Sequence, residues 1–359
     1  MKLKLLSLAV AAAVSLPHTA LAASGDGPQV YGQVDVGLQR VEEGDNDIFE
    51  LDDKESRVGV KGVEDLGGFE GLYQFEFGVD TSDGSGIFKS RNSFVGLGGD
   101  FGTITAGQFD TPFKKAQGDI DLFSDQLDMK SYVAGEEREK NIIQYQTNEI
   151  AGMSASLAFQ PGEQRTDNEN DVEDGIADAF SVAAMFENEL LYAAIAYDMN
   201  VDYGYWGDNV DDGFTLDLNA GLIDDPNTTS EDESETTFAL NKSDALRLTG
   251  IFKFDTFGFG ALVQQAELSD VANPLEQTAL VLSAYAQMDQ TKFEFQLGQS
   301  KVEQDNNSIN FDTKFAGVGV EQQLSERTNV YAIAARENND NGTVEVDTDV
   351  LLVGAKHKF

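Results

Sequence analysis

The sequence predicts an all-β fold, a 16-stranded antiparallel transmembrane β-barrel, and three observations predict it. Apolar and polar residues alternate with period two from Val30 to the last residue. The connections between alternating segments are short and long by turns, as a barrel with tight turns at one rim and long loops at the other requires. After the leader, no segment reaches roughly 18 consecutive apolar residues, which removes spanning helices and leaves spanning strands.

Residues 1–22 are set aside as an export signal. Lys2 and Lys4 precede an apolar run from Leu5 to Leu16, broken by Pro17 and followed by Ala20-Leu21-Ala22, small residues suited to cleavage. That run is about a dozen residues, short of the roughly 20 a spanning helix needs, so removal is expected rather than anchoring. Residues 23–359 are expected to form one barrel domain.

Composition narrows the chemistry. Cysteine is absent, which excludes disulfides, thiolate nucleophiles and zinc–thiolate sites. Of the two histidines, His18 leaves with the signal and His357 lies almost at the end, so imidazole catalysis has hardly a candidate and an enzyme is disfavoured. No catalytic or metal-ligating set is assigned, and no cofactor is implied. With 64 acidic and 24 basic residues the formal net charge is −40, and loss of the two leader lysines makes it more negative. Such a surface repels nucleic acid. It suits attraction of cations, loops cross-linked by divalent ions, or a salty medium.

The strands show themselves as apolar positions facing one way and polar positions the other. Phe69, Tyr73, Phe75 and Phe77 alternate with Glu70, Gln74 and Glu76, and Phe293, Phe295 and Leu297 alternate with Lys292, Glu294 and Gln296. A soluble sandwich turns such an apolar face inward and a membrane barrel turns it to lipid; the connections favour the barrel. Short turns are read at 65–68, 98–100, 148–150, 187–189, 255–256, 289–290 and 324–326. Long loops are read near 42–53, 80–88, 110–140, 161–175, 201–242, 269–276, 302–311 and 337–346, rich in Asp, Asn and Gly. Phe69, Phe101, Phe186, Phe254, Phe257 and Phe293 each lie within a few residues of a short turn, as an interfacial aromatic girdle requires.

Four stretches, in order, resemble the general-diffusion porins of Gram-negative bacteria: VYGQVDVGL (30–38), SRVGVKGVEDLGGFEGLYQFEFG (56–78), RNSFVGLGGDFGTITAGQFDTPF (91–113) and the terminal LLVGAKHKF (351–359). The resemblance covers essentially all of the chain after the signal. It implies an outer-membrane channel for passive diffusion of small hydrophilic solutes and ions. It also implies a homotrimer, contact with lipopolysaccharide and outer-membrane lipids, and a C-terminal Phe359 read by the barrel-assembly machinery. His357 departs from the usual apolar residue in that signal.

The resemblance further implies that the third outer loop, about 110–140, folds inward to narrow the pore. Its Asp119, Asp121, Asp125 and Asp128 are the candidates for an acidic constriction wall, although Lys114, Lys115 and Lys130 make the loop mixed. Arg57, Lys61, Arg91 and Arg138 match the basic residues that the family places opposite. Parity agrees at Arg57 and Lys61, which alternate with Val58 and Val60; turning such charges toward lipid costs roughly 2–4 kcal/mol each near the midplane. Gln33 stands where many relatives carry a base, which favours cation selectivity. The alternatives are a substrate-specific channel on the same barrel, marked by an aromatic slide or basic ladder, and a secreted acidic β-sandwich that binds carbohydrate or surfaces. Acid-rich loops at 167–175, 208–213 and 231–235 match no complete metal loop and read as solvated outer loops. Trp206 and a possible extra hairpin at Phe214–Leu222 lie in the long loop 201–242 without an assigned role.

Overall fold

A computed structural model describes residues 27–44, 46–82, 88–136, 138–162, 165–168, 171–173, 175–203, 242–268, 274–304 and 310–359. The leader, the acid-rich loops at 208–213 and 231–235, Trp206 and the Phe214–Leu222 segment lie outside them.

The strands follow the alternation. In chain order they are β1 (Gln29–Glu43), β2 in two stretches (Asn46–Asp53 and Arg57–Asp65), β3 (Glu70–Gly78), β4, also in two (Lys89–Ser90 and Ser93–Gly99), β5 (Gly102–Asp110), β6 (Arg138–Gln146), β7 (Met153–Gln160) and β8 (Ala179–Glu187). The second half comprises β9 (Leu191–Val201), β10 (Ser243–Lys253), β11 (Phe257–Glu267), β12 (Leu275–Met288), β13 (Thr291–Gln304), β14 (Asn310–Ser325), β15 (Thr328–Asp340) and β16 (Glu345–Lys358). A separate small hairpin pairs Arg165–Asn168 with Asp171–Glu173.

Each barrel strand pairs antiparallel with its neighbour in sequence, and β16 returns to β1, running from Gln33↔Lys358 to Glu43↔Thr348. Two backbone bonds finish the closure, Gly32 N donating to Phe359 O (3.1 Å) and Phe359 N to Gly32 O (3.0 Å). The sheet therefore has no free edge, the condition for strands in lipid, where an unsatisfied backbone group costs several kcal/mol.

The faces are inverted relative to a soluble protein. Phe75, Phe77, Phe293, Phe295 and Leu297 are exposed on the outside, while Glu76 and Gln296, of the opposite parity, are buried within. At the short-turn rim Phe254 and Phe257 stack at 4.6 Å and Phe69 and Phe101 meet at 6.2 Å, a placement suited to a membrane interface. All seven short turns fall where the sequence places them.

The first outer connection does not. A long loop is expected near 42–53, but only two residues separate β1 from β2, and Asn46–Asp53 pairs with Val36–Glu43. Gly44 takes a left-handed φ of +55°, which permits a tight turn, and Ile48, Phe49 and Leu51 supply strand propensity within an acidic stretch. Near 337–346 the same thing happens: β15 and β16 extend to a turn of four residues around Gly342, whose φ is +81°.

Among the described residues, the connection between β5 and β6 enters the barrel. It opens with α1 (Pro112–Lys115), capped by the Thr111 hydroxyl accepting from Lys114 N at 3.0 Å, with Pro112 at its first turn. Phe113, Ile120, Phe123, Met129 and Tyr132 are buried in a single cluster with wall residues such as Tyr192, Ile251, Leu262, Val281 and Phe315. Glycines on the wall make room: a Cβ at Gly317 or Gly319 would lie 2.7 Å from the Phe123 ring, and one at Gly260 2.8 Å from Ile120. The loop's apolar underside thus fills the side of the barrel formed by the later strands.

Candidate functional site

With its underside fixed, the inward loop carries polar residues toward β1, β2 and β16. Asp125 is the point of contact. Its carboxylate lies 3.3 Å from Arg57 Nη1 and 2.8 Å from Lys356 Nζ, with Gln33 Nε2 at 3.4 Å. Lys356 also lies 3.3 Å from Asp35, a fully buried carboxylate that accepts from Tyr331 Oη at 2.7 Å and Gln126 Nε2 at 3.2 Å. Burial alone raises the Asp125 carboxyl, but Arg57 and Lys356 outweigh it and hold the group well below the usual carboxylate range. Asp125 is therefore a permanent anion facing two cations.

Arg91 and Arg138 are likewise paired with carboxylates, while Lys61 meets an aromatic ring. Arg91 Nε lies 2.7 Å from Glu76 Oε1, and its Nη1 contacts Glu55. Glu76 in turn accepts from Tyr31 Oη at 2.8 Å, and Lys61 Nζ lies 4.9 Å from the centre of the Tyr31 ring. Arg138 Nε is 3.4 Å from Asp110, which Lys114 approaches at 3.6 Å.

The remaining loop acids do different work. Asp119 lies apart, 3.5 Å from Lys253 and 42% exposed at its side chain. Asp121 accepts from the backbone N of Phe123 (3.3 Å) and of Met129 (3.0 Å) and from Gln296 Nε2 (3.0 Å), bracing the loop against β13. Asp128 caps the short helical turn Met129–Ser131, accepting from Lys130 N at 2.9 Å. Burial, and then the charge of Asp128, push the Asp121 carboxyl up; burial pushes Asp128 up too. Among the described residues no group of acidic or histidine side chains is placed to hold a metal ion.

Sequence reasoning did not single out Lys356, Asp35, Glu55 or Glu76, nor the buried pair Arg247–Glu136 at 2.6 Å. For Lys356 the signal was there. Leu351, Val353 and Phe359 are exposed outward, so residues of the other parity on β16, Lys356 among them, face inward. Arg247 is likewise set between outward Leu246 and Leu248. Glu136 lies in a loop, where no period announces orientation.

Comparison with known proteins agrees with the closed barrel. The family described as Gram-negative porin matches residues 7–342. The major outer membrane protein P.IA of Neisseria meningitidis serogroup C is 24% identical over 351 residues, 92% of this chain and 89% of that protein. P.IB of Neisseria gonorrhoeae is 29% identical over 211 residues, and there the chain spans little more than half of the relative, 56%. Among solved structures, the anion-selective porin from Comamonas acidovorans superposes with a TM-score of 0.70 at 19% identity, covering 93% of this chain and 99% of that one. The trimer form of OmpT from Vibrio cholerae does so at 0.64 and 14%, covering 93% and 99%. At such identities the structural likeness speaks for the fold, while the family match extends over nearly the whole chain. The chain thus belongs to the Gram-negative porin family, β-barrel proteins of the outer membrane and not enzymes.

Proposed function

We propose that this barrel is a water-filled channel through which small hydrophilic solutes and ions diffuse passively, that it prefers cations, and that it works as a homotrimer. The observation that carries this reading is the inward loop, whose Asp125 sits across from Arg57 and Lys356 inside the closed wall. A solute passing there is sorted by size and by its fit to ordered charge of both signs. Family membership supports a channel, and a trimer is described for one structural relative. Cation preference is supported by the overall charge of −40 and by the pairing of Arg57, Arg91, Arg138 and Lys356 with carboxylates. Lipopolysaccharide against the outer rim and recognition of Phe359 by the barrel-assembly machinery complete the proposal.

The test is single-channel current from detergent-purified protein in a planar bilayer, with the reversal potential read in a potassium chloride gradient. Conductance in steps of three and a cation-selective potential are expected, and Asp125→Asn should shift that potential toward anions. Silence from folded protein sinks the channel; anion selectivity in the unaltered protein sinks the charge reading.

A further inference from the structure

We infer that Lys356, on the last strand, is the selectivity-setting cation of this channel, a role that rests on the channel reading above. To this cluster β1 contributes neutral Gln33 and anionic Asp35, and no cation of its own. Closure of the barrel brings β16 beside β1 in a register that sets Lys356 across from Asp35 and Lys358 across from Gln33. The Lys356 ammonium then lies between two carboxylates of different origin, 3.3 Å from Asp35 on the wall and 2.8 Å from Asp125 on the inward loop. Its side chain is 11% exposed, and the Asp35 side chain is fully buried.

Of these two carboxylates Arg57 contacts Asp125 alone, at 3.3 Å and through one nitrogen, whereas Lys356 is, among the described residues, the cation that touches both Asp125 and Asp35. Removing the Lys356 charge takes away the cation that touches both carboxylates and leaves Asp35 without the ion pair it makes here. In a confined lumen the nearest replacement is a mobile cation from the solute stream, so the passage becomes more permeable to cations. Lys356 also joins the loop to the seam between β1 and β16, so it has a positional effect as well as an electrostatic one.

The absence of cysteine makes the two effects separable, because Lys356→Cys introduces a unique thiol. Reconstituted Lys356→Cys channels should show a cation-to-anion permeability ratio roughly threefold above the parent. Labelling with an aminoethyl methanethiosulfonate, which restores a positive charge, should bring the ratio back; the sulfonatoethyl reagent should raise it further. Lys356→Gln, which keeps a donor between the carboxylates, reads the same loss of charge should the cysteine variant not fold. Lys301→Gln on β13, paired with Glu303 on the opposite face of the strand from the buried Ser300 and Val302, is the control. A ratio unchanged in both variants, or indifferent to the sign of the label, overturns the role of Lys356 while leaving the channel intact. A silent parent protein overturns the channel itself.

Discussion

Arg247 shows how a single charge can be held inside a barrel. It has no exposed surface, forms an ion pair with Glu136 at 2.6 Å, donates to the carbonyls of Phe113 (3.4 Å) and Ala134 (3.1 Å) and to Gln264, and lies 4.2 Å from the Phe113 ring. Replacing it by Met removes the partner of Glu136 and the donors to Phe113 O and Ala134 O, and loss of one partner of a buried pair costs about 3–5 kcal/mol. The urea midpoint for unfolding in lipid vesicles should fall accordingly, and Glu136→Gln added to Arg247→Met should restore much of it. Burial pushes the Glu136 carboxyl up to about 7, against the pull of Arg247 and Lys114. From its ordinary value of 4.5 to about 7 the folded chain therefore holds a proton that the unfolded chain has released. This group accordingly lowers stability as pH rises through that window, and Glu136→Gln should flatten the midpoint-against-pH curve between about 4.5 and 7. Alternation made the inward aim of Arg247 readable from sequence, but its partner comes from a distant loop that only the closed barrel brings within reach.

At the level of elements, the inward loop is positioned by shape as much as by charge. Phe123 rests where Gly317 and Gly319 leave space, and a methyl at Gly317 would lie 2.7 Å from the ring. Gly317→Ala should displace Phe123 at a cost of about 1–3 kcal/mol. The displacement carries the loop toward Arg57 and Lys356, and single-channel conductance should drop; an unchanged conductance would show that the ring moves without the loop. Strands and short turns are legible from sequence because lipid on one side and water on the other impose period two. The loop's length and acids are legible too. Its underside is not, since Phe113, Ile120, Phe123 and Met129 follow no period and match pockets formed by four or more strands. The strand at Asn46–Asp53 escaped for a related reason: beyond the membrane both of its faces meet water, so its acids look like loop.

For the whole molecule, the balance of 64 acidic against 24 basic residues acts at a distance, through water. A field of that kind is screened as the Debye length shrinks from about 10 Å at 0.1 M salt to about 3 Å at 1 M. The cation preference proposed above should therefore weaken between 0.1 and 1 M potassium chloride, to a residue set by the close contacts of Asp125. A ratio flat across that range would assign all selectivity to those contacts. Strand order is a property of the molecule as well. Each of the sixteen strands has its sequence neighbours beside it, and the β16–β1 junction differs from the other fifteen only in lacking a covalent link. Gly32 and Phe359 already exchange backbone hydrogen bonds there. A circular permutant, joined across that junction and reopened at the turn 341–344, would preserve all sixteen pairings while moving Phe359 from the end of the chain to its interior.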